Sequence, residues 1–203
     1  DSPESGPPYD GASWETPPEP QGEAWVEANL SNPLALWVHV ALEEAAGAEV
    51  SAWVAGQLVW RSTWGAALSV HRIPVLGLPP QSDVAIEIAL RDAGAEEGDP
   101  GQMWRTLDAS TGSLSPTLPA LTVSAHVADA TAPGMTFFGP ETRQEEPDPS
   151  WPLYVAVNHL GVPVWSYHDE ALERGGLARD IRVLESGGLM LLLAQGVRVI
   201  SME

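Results

Sequence analysis

At 203 residues and a formal charge of −19, with 28 acidic and 9 basic side chains, the chain offers no basic footprint for nucleic acid. Every basic residue is Arg, so a phosphate-cradling GxxxxGK loop is excluded, and the absence of Cys removes disulfide and thiolate chemistry. No apolar run is long enough to form a transmembrane helix.

Residues 1–22 (DSPESGPPYDGASWETPPEPQG) are rich in Pro, Gly, Ser and acids. Such a segment buries too little apolar surface to offset its ordering entropy. It reads as a disordered, acidic, Pro-rich leader, free to tether the next domain or to lie along a partner. The first residue is Asp, which suggests a processed chain. The expectation is a secreted or cell-envelope protein whose signal peptide has been removed.

Residues 23–110 alternate apolar and polar side chains with the period of a strand. Trp25 to Leu30 begins the pattern. Leu36, Val38, Val40 and Leu42 share one face, and Val50, Ala52 and Val54 repeat it. The intervening EEAAGAE reads as a loop, because Gly47 and its shortness argue against a helix. AGQLVW supplies a Gly turn. Leu68 to Val75, Val84 to Leu90 and Met103 to Leu107 follow. About seven short strands in this span predict a small antiparallel β-sandwich of immunoglobulin or fibronectin type. The polar loop RDAGAEEGDPGQ is expected to project into solvent. Its acids lack the ligand order of an EF-hand.

Residues 111–150 form a connector broken by repeated Pro, with Leu121 to Ala125 and Met135 to Phe138 as possible strands. Residues 151–203 contain β-type runs at Tyr154 to Val157, Val162 to Tyr167, Asp180 to Leu184, Leu189 to Ala194 and Val197 to Ser201. Gly161, Gly187, Gly188 and Gly196 separate them. DEALERGG, from Asp169 to Gly176, can form about one helical turn. Short strands at even spacing predict about one blade of a β-propeller, an all-β architecture throughout. An isolated blade would leave a bare apolar face, with Trp151, Trp165, Leu189, Leu191 and Leu193 as candidate interface residues.

The nine Trp residues suit core packing, or a surface row that stacks on sugar rings or a protein partner. The histidines are His39, His71, His126, His159 and His168. None pairs at metal-ligand spacing, so no metal and no cofactor is assigned. Arg179 and Arg182 flank Asp180, where they can bind an anion or form a local ion pair. There is no Gly-x-Ser-x-Gly elbow and no Cys/His dyad, so no catalytic residue is assigned.

From residue 28 onward the motifs SNPLALWVHVAL, SVHRIPVLGLPPQSDVAIEIAL, TLDASTGSLSPTLPALTV, APGMTFFGP, YVAVNHLGVPVWSYHD and ARDIRVLESGGLMLLLAQGVRVISME follow one another in order. In that order and spacing they resemble the N-terminal part of bacterial aryl-sulfate sulfotransferases. Gly161, Val162, Val164, Trp165 and Tyr167 match one family hairpin; Arg182, Leu184, Gly188, Leu189 and Leu191 match the next. The resemblance implies a sandwich followed by the first strands of a six-bladed propeller. His71 falls on a recurrent strand His that looks structural. The family's sulfuryl-transferring residues lie on later blades, so the resemblance assigns none of them here. It implies a non-catalytic accessory part, completed by a second polypeptide that carries the remaining blades. The alternative is a self-contained extracellular binding module that uses its Trp-rich surface.

Overall fold

The computed structural model describes residues 21–30, 32–95, 98, 100–114, 121, 123–124, 134–139, 154–167, 180–184, 188–193 and 196–200. Among them the protein is all-β, in antiparallel sheets. The predicted turn at 169–176 and most of the leader lie outside the described residues.

Strands β1 (Gly22–Ala28), β2 (Leu36–Val54), β3 (Gln57–Arg61), β4 (Leu68–Val75), β5 (Asp83–Asp92) and β6 (Gln102–Ser110) form one six-stranded sheet. β2 runs for 19 residues and changes neighbours half-way. In its first half Val38 lies between Val26 of β1 and Ile73 of β4. In its second half Ala52 lies between Trp60 of β3 and Ile86 of β5. β6 then extends the sheet beyond β5. The sheet curls until its far strands meet, where Arg105 Nη2 donates to the Gly22 carbonyl at 3.1 Å.

One long strand therefore replaces two predicted ones. Ala, Glu and Gly are weak strand formers, but cross-strand pairing overrides propensity here. The side-chain parity survives the EEAAGAE segment. Leu36, Val38, Val40, Leu42, Ala48, Val50 and Ala52 all reach the same core. Val84, Ile86, Ile88 and Leu90 of β5 join that core, and Val75, Leu78 and Trp104 complete it. Each fully buried aliphatic side chain contributes on the order of 1.5–3 kcal/mol. The two halves of the curled sheet enclose this core as a β-sandwich.

The ladder between β2 and β4 breaks between Ala41 and Ala46. The ladder to β5 starts at Ala46. Gly47 permits the bend there, since a Cβ would stand 3.2 Å from the Gly65 carbonyl. At the break, buried His71 donates from Nε2 to the carbonyls of Ala46 at 2.8 Å and Leu68 at 3.0 Å. Both partners can only accept, so Nε2 carries the proton. At the exit from β6, Thr111 closes the domain. Its hydroxyl donates to the Pro79 carbonyl at 2.7 Å and accepts from the Ser82 amide at 2.9 Å.

The C-terminal runs form two small antiparallel sheets, consistent with a partial propeller. β7 (Met135–Phe138), β8 (Tyr154–Asn158) and β9 (Pro163–Tyr167) form the first. β10 (Asp180–Val183), β11 (Leu189–Leu193) and β12 (Gly196–Ile200) form the second. The connector supplies β7, one of its two possible strands. The described residues of the other, Leu121, Val123 and Ser124, are not in a strand. Between β8 and β9, Gly161 takes φ 78°. Asn158 Oδ1 accepts from the amides of Leu160 and Val162, both at 3.0 Å.

Replacing His71 with Leu should lower the unfolding free energy by about 1–3 kcal/mol, because two acceptors lose their donor. Urea unfolding measures this. An unchanged midpoint would show that the carbonyls of Ala46 and Leu68 do not depend on the imidazole. The β2–β3 turn gives the opposite sign. Ala55 and Gly56 both have positive φ, 50° and 75°, the geometry in which Asn-Gly is preferred. Ala55→Asn should raise the unfolding free energy by about 1 kcal/mol, read by the same method. A loss of stability would show that Ala55 is unstrained.

Candidate functional site

Register sorts the side chains of the last sheet onto two faces. On one, Ile181 pairs with Leu191 and Leu189 pairs with Ile200. On the other, Leu192 lies between Asp180 and Val197, and Met190 between Arg182 and Val199.

The first face is covered at its centre, while Val183 at its β10 edge is 63% exposed. Leu189 and Leu191 are fully buried in one cluster with Phe137, Tyr154, Ala156, Trp165 and Tyr167 of the β7–β9 sheet. Trp165 meets Phe137 edge-on at 6.0 Å and stacks with Tyr167 at 5.9 Å. The sequence reading names Trp165, Leu189 and Leu191 as candidate interface residues; here they join sheet to sheet within the chain, packed against Phe137 and its neighbours.

The second face is open. Val197 is 60% exposed, Val199 61% and Leu192 42%, with Met190 beside them. Alternation that is apolar on both faces is the pattern of a strand layer packed on both sides. Arg182 stands at the margin of this face. Its Nε donates to Asp180 Oδ2 at 3.0 Å, so the local ion pair is the reading the geometry favours. Arg179, Trp151 and the side chain of Leu193 lie outside the described residues, as do His126 and His168.

The other histidines do not converge. His39 stacks on Trp25 at 4.8 Å, and its Nε2 lies 2.9 Å from Glu27 Oε2. His71 is the structural strap already described. His159 is exposed in the β8–β9 turn. Among the described residues no group of three or more His, Cys, Asp or Glu side chains could hold a metal ion. None of the described structure is a helix long and apolar enough to cross a membrane.

The described tryptophans do not form one surface row. Arg72 covers the Trp37 ring at 3.7 Å, Arg91 covers Trp64 at 4.9 Å and Arg105 covers Trp104 at 4.8 Å. Trp60 packs against the sandwich core. Trp53 is held differently, with Nε1–H donating to Glu87 Oε2 at 2.7 Å. The described residues of the polar loop after β5 are largely exposed, as expected. Its described end folds back, so that Gly101 lies against the Trp64 ring where any Cβ would collide. An open hollow of about 870 Å³ forms there, lined by Glu49, Arg61, Trp64 and Arg91.

Comparison with family models, with curated proteins and with solved structures gives no match. The functional reading therefore rests on the chain's own geometry.

The two faces of the last sheet should respond differently to substitution. Leu191→Ala should cost about 2–5 kcal/mol of stability, the range for a buried Leu. Val199→Lys should change it by no more than about 0.5 kcal/mol. Chemical denaturation followed by Trp fluorescence compares them. Equal costs would show that both faces are covered.

Proposed function

We propose that this chain is a non-catalytic β scaffold within a larger β assembly. It supplies an accessory sandwich and a partial propeller. The outer face of β10–β12 stacks against a further sheet carried by a second polypeptide. The observation that carries this reading is the exposed apolar row of Leu192, Val197 and Val199, with Met190. Within the chain, the opposite face of the same strands already joins a neighbouring sheet through equivalent side chains. The occupant is thus another sheet, matching layer to layer.

The order of the motifs supports a more specific form of the proposal. On the likeness to aryl-sulfate sulfotransferases, the second polypeptide holds the remaining blades and the sulfuryl-transfer site. The arrangement of the described histidines agrees with a division of this kind, since His39, His71 and His159 are spread over separate elements.

The test is the native mass of the protein purified from its own source, followed by the denaturing mass of each component. A complex heavier than the 21.6 kDa chain, releasing a second β-rich polypeptide only on denaturation, is the expected result. Leu192→Glu with Val199→Glu should weaken that complex at least about tenfold, since each buries a charge without a partner. A single species at the chain mass would overturn the proposal.

A further inference from the structure

The outer face of the sandwich carries a second unsatisfied surface, centred on Trp53. Register places Trp53 opposite Ala85 on β5, and Ala85 opposite Asp108 on β6. Trp53 and Asp108 are therefore two strand spacings apart, about 10 Å, with only a methyl group between them. Asp83 and Glu87 flank Ala85 on the same face of β5, since side chains two residues apart share a face. The result is an open hollow of about 620 Å³, lined by Trp53, Ala55, Ala85, Asp83, Glu87 and Asp108 and by no basic residue. That volume lies within the range of small-ligand sites.

Three features point to the class of ligand. First, the chain has a consistent way of finishing its outer tryptophans. Trp37 and Trp64 each carry a guanidinium over the ring, and Trp25 carries an imidazole. Trp53 has neither among the described residues, nor does it pack against the core cluster. Second, Asp83 and Asp108 meet no cation among the described residues, and Glu87 is engaged only by the Trp53 indole N–H. That bond fixes the ring and keeps Glu87 Oε2 at its edge. Third, the lining sets these carboxylates beside an aromatic ring, with no basic residue among them.

We propose that this hollow binds a guanidinium group from outside the described fold. Its flat face lies on the Trp53 ring, as cation–π contacts require. Its N–H donors point along the plane to Asp83 and Asp108, which are acceptors only. Ala85 leaves the floor low enough for a planar group to enter. The net charge of −19 raises the local concentration of any such cation. A free guanidino compound and an Arg side chain on a peptide present the same chemistry.

The experiment uses the full chain, isotopically labelled, and follows the indole Nε1–H resonance of Trp53, assigned as the one lost in Trp53→Phe. N-ethylguanidinium chloride is titrated against sodium chloride at equal ionic strength. A short neutral peptide with one Arg is titrated in parallel. A saturable shift with either guanidinium source, absent with sodium chloride, is expected. Tighter binding of the small cation would identify a free ligand; tighter binding of the peptide would identify an Arg side chain. Asp83→Asn with Asp108→Asn should raise the half-saturation concentration at least about tenfold, the change expected on losing charge-assisted hydrogen bonds. The remaining resonances report whether the variant is folded. A shift that does not saturate, that sodium chloride reproduces, or that the folded Asn variant retains would overturn the assignment. The site is remote in register from β10–β12, so the result is independent of the sheet-stacking proposal.

Discussion

The constraint on which the sandwich depends is that one strand serves two ladders. β2 pairs with β1 and β4 in its first half and with β3 and β5 in its second. A strand has only two edges, so the change of partners has to occur at a defined point without loss of side-chain parity. A slip of one residue would turn every core side chain of one half towards solvent. Parity is kept: Leu42 and Ala48 lie on either side of the break and both enter the core. The segment between them is built from small and charged residues that tolerate a bend. His71 then donates to the Ala46 and Leu68 carbonyls beside the break, a structural role.

The same economy shapes the surface. A chain with 28 acids and 9 arginines has few cations to distribute. Arg72, Arg91 and Arg105 lie over Trp rings instead of forming pairs with carboxylates. Guanidinium is the cation suited to that geometry, because it is flat, weakly hydrated and permanently charged. Each such contact at an exposed site is worth about 0.5–1 kcal/mol. It also hides an aromatic face that would otherwise invite association. The sandwich surface is thus finished residue by residue, and Trp53 stands out because its surroundings are acidic and no cation among the described residues lies over its ring.

Much of this was legible in the chain. Period-two alternation located β5 and the two halves of β2 with their buried side chains, because burial on one face leaves a direct mark on composition. Gly56 and Gly161 marked turns, since both adopt positive φ. Other features depended on pairing, which a single sequence does not display. Nothing local in EEAAGAE says that Ala46 faces Asp92. Nor does Phe137 announce that it will sit over Trp165, which is what divides the C-terminal runs into two sheets. The Trp53 hollow was missed for the same reason. Trp53, Ala85 and Asp108 are far apart in the chain and become one row only through two registers. The detectable signal was the small residues Ala85 and Ala109 beside acids in otherwise bulky strands.

The last sheet has two ways to associate, by edge and by face, and strand length decides between them. Its outer strands are short, with 4 residues in β10 and 5 in β12. Alternate residues of an edge strand direct their N–H and C=O groups outward, so each edge offers only a few hydrogen bonds to an added strand. Short edge strands are one of the devices that discourage such pairing. Each new backbone hydrogen bond also replaces one to water and gains only about 0.5–1.5 kcal/mol net. The face offers Met190, Leu192, Val197 and Val199 together. Burying aliphatic side chains of this kind gains about 1.5–3 kcal/mol each. Partial exposure in the free chain makes the gain smaller for Leu192 than for Val197 and Val199. The balance still favours the face, in keeping with the proposal that a further sheet stacks there. Stacking is also the direction in which β7–β9 and β10–β12 are already joined.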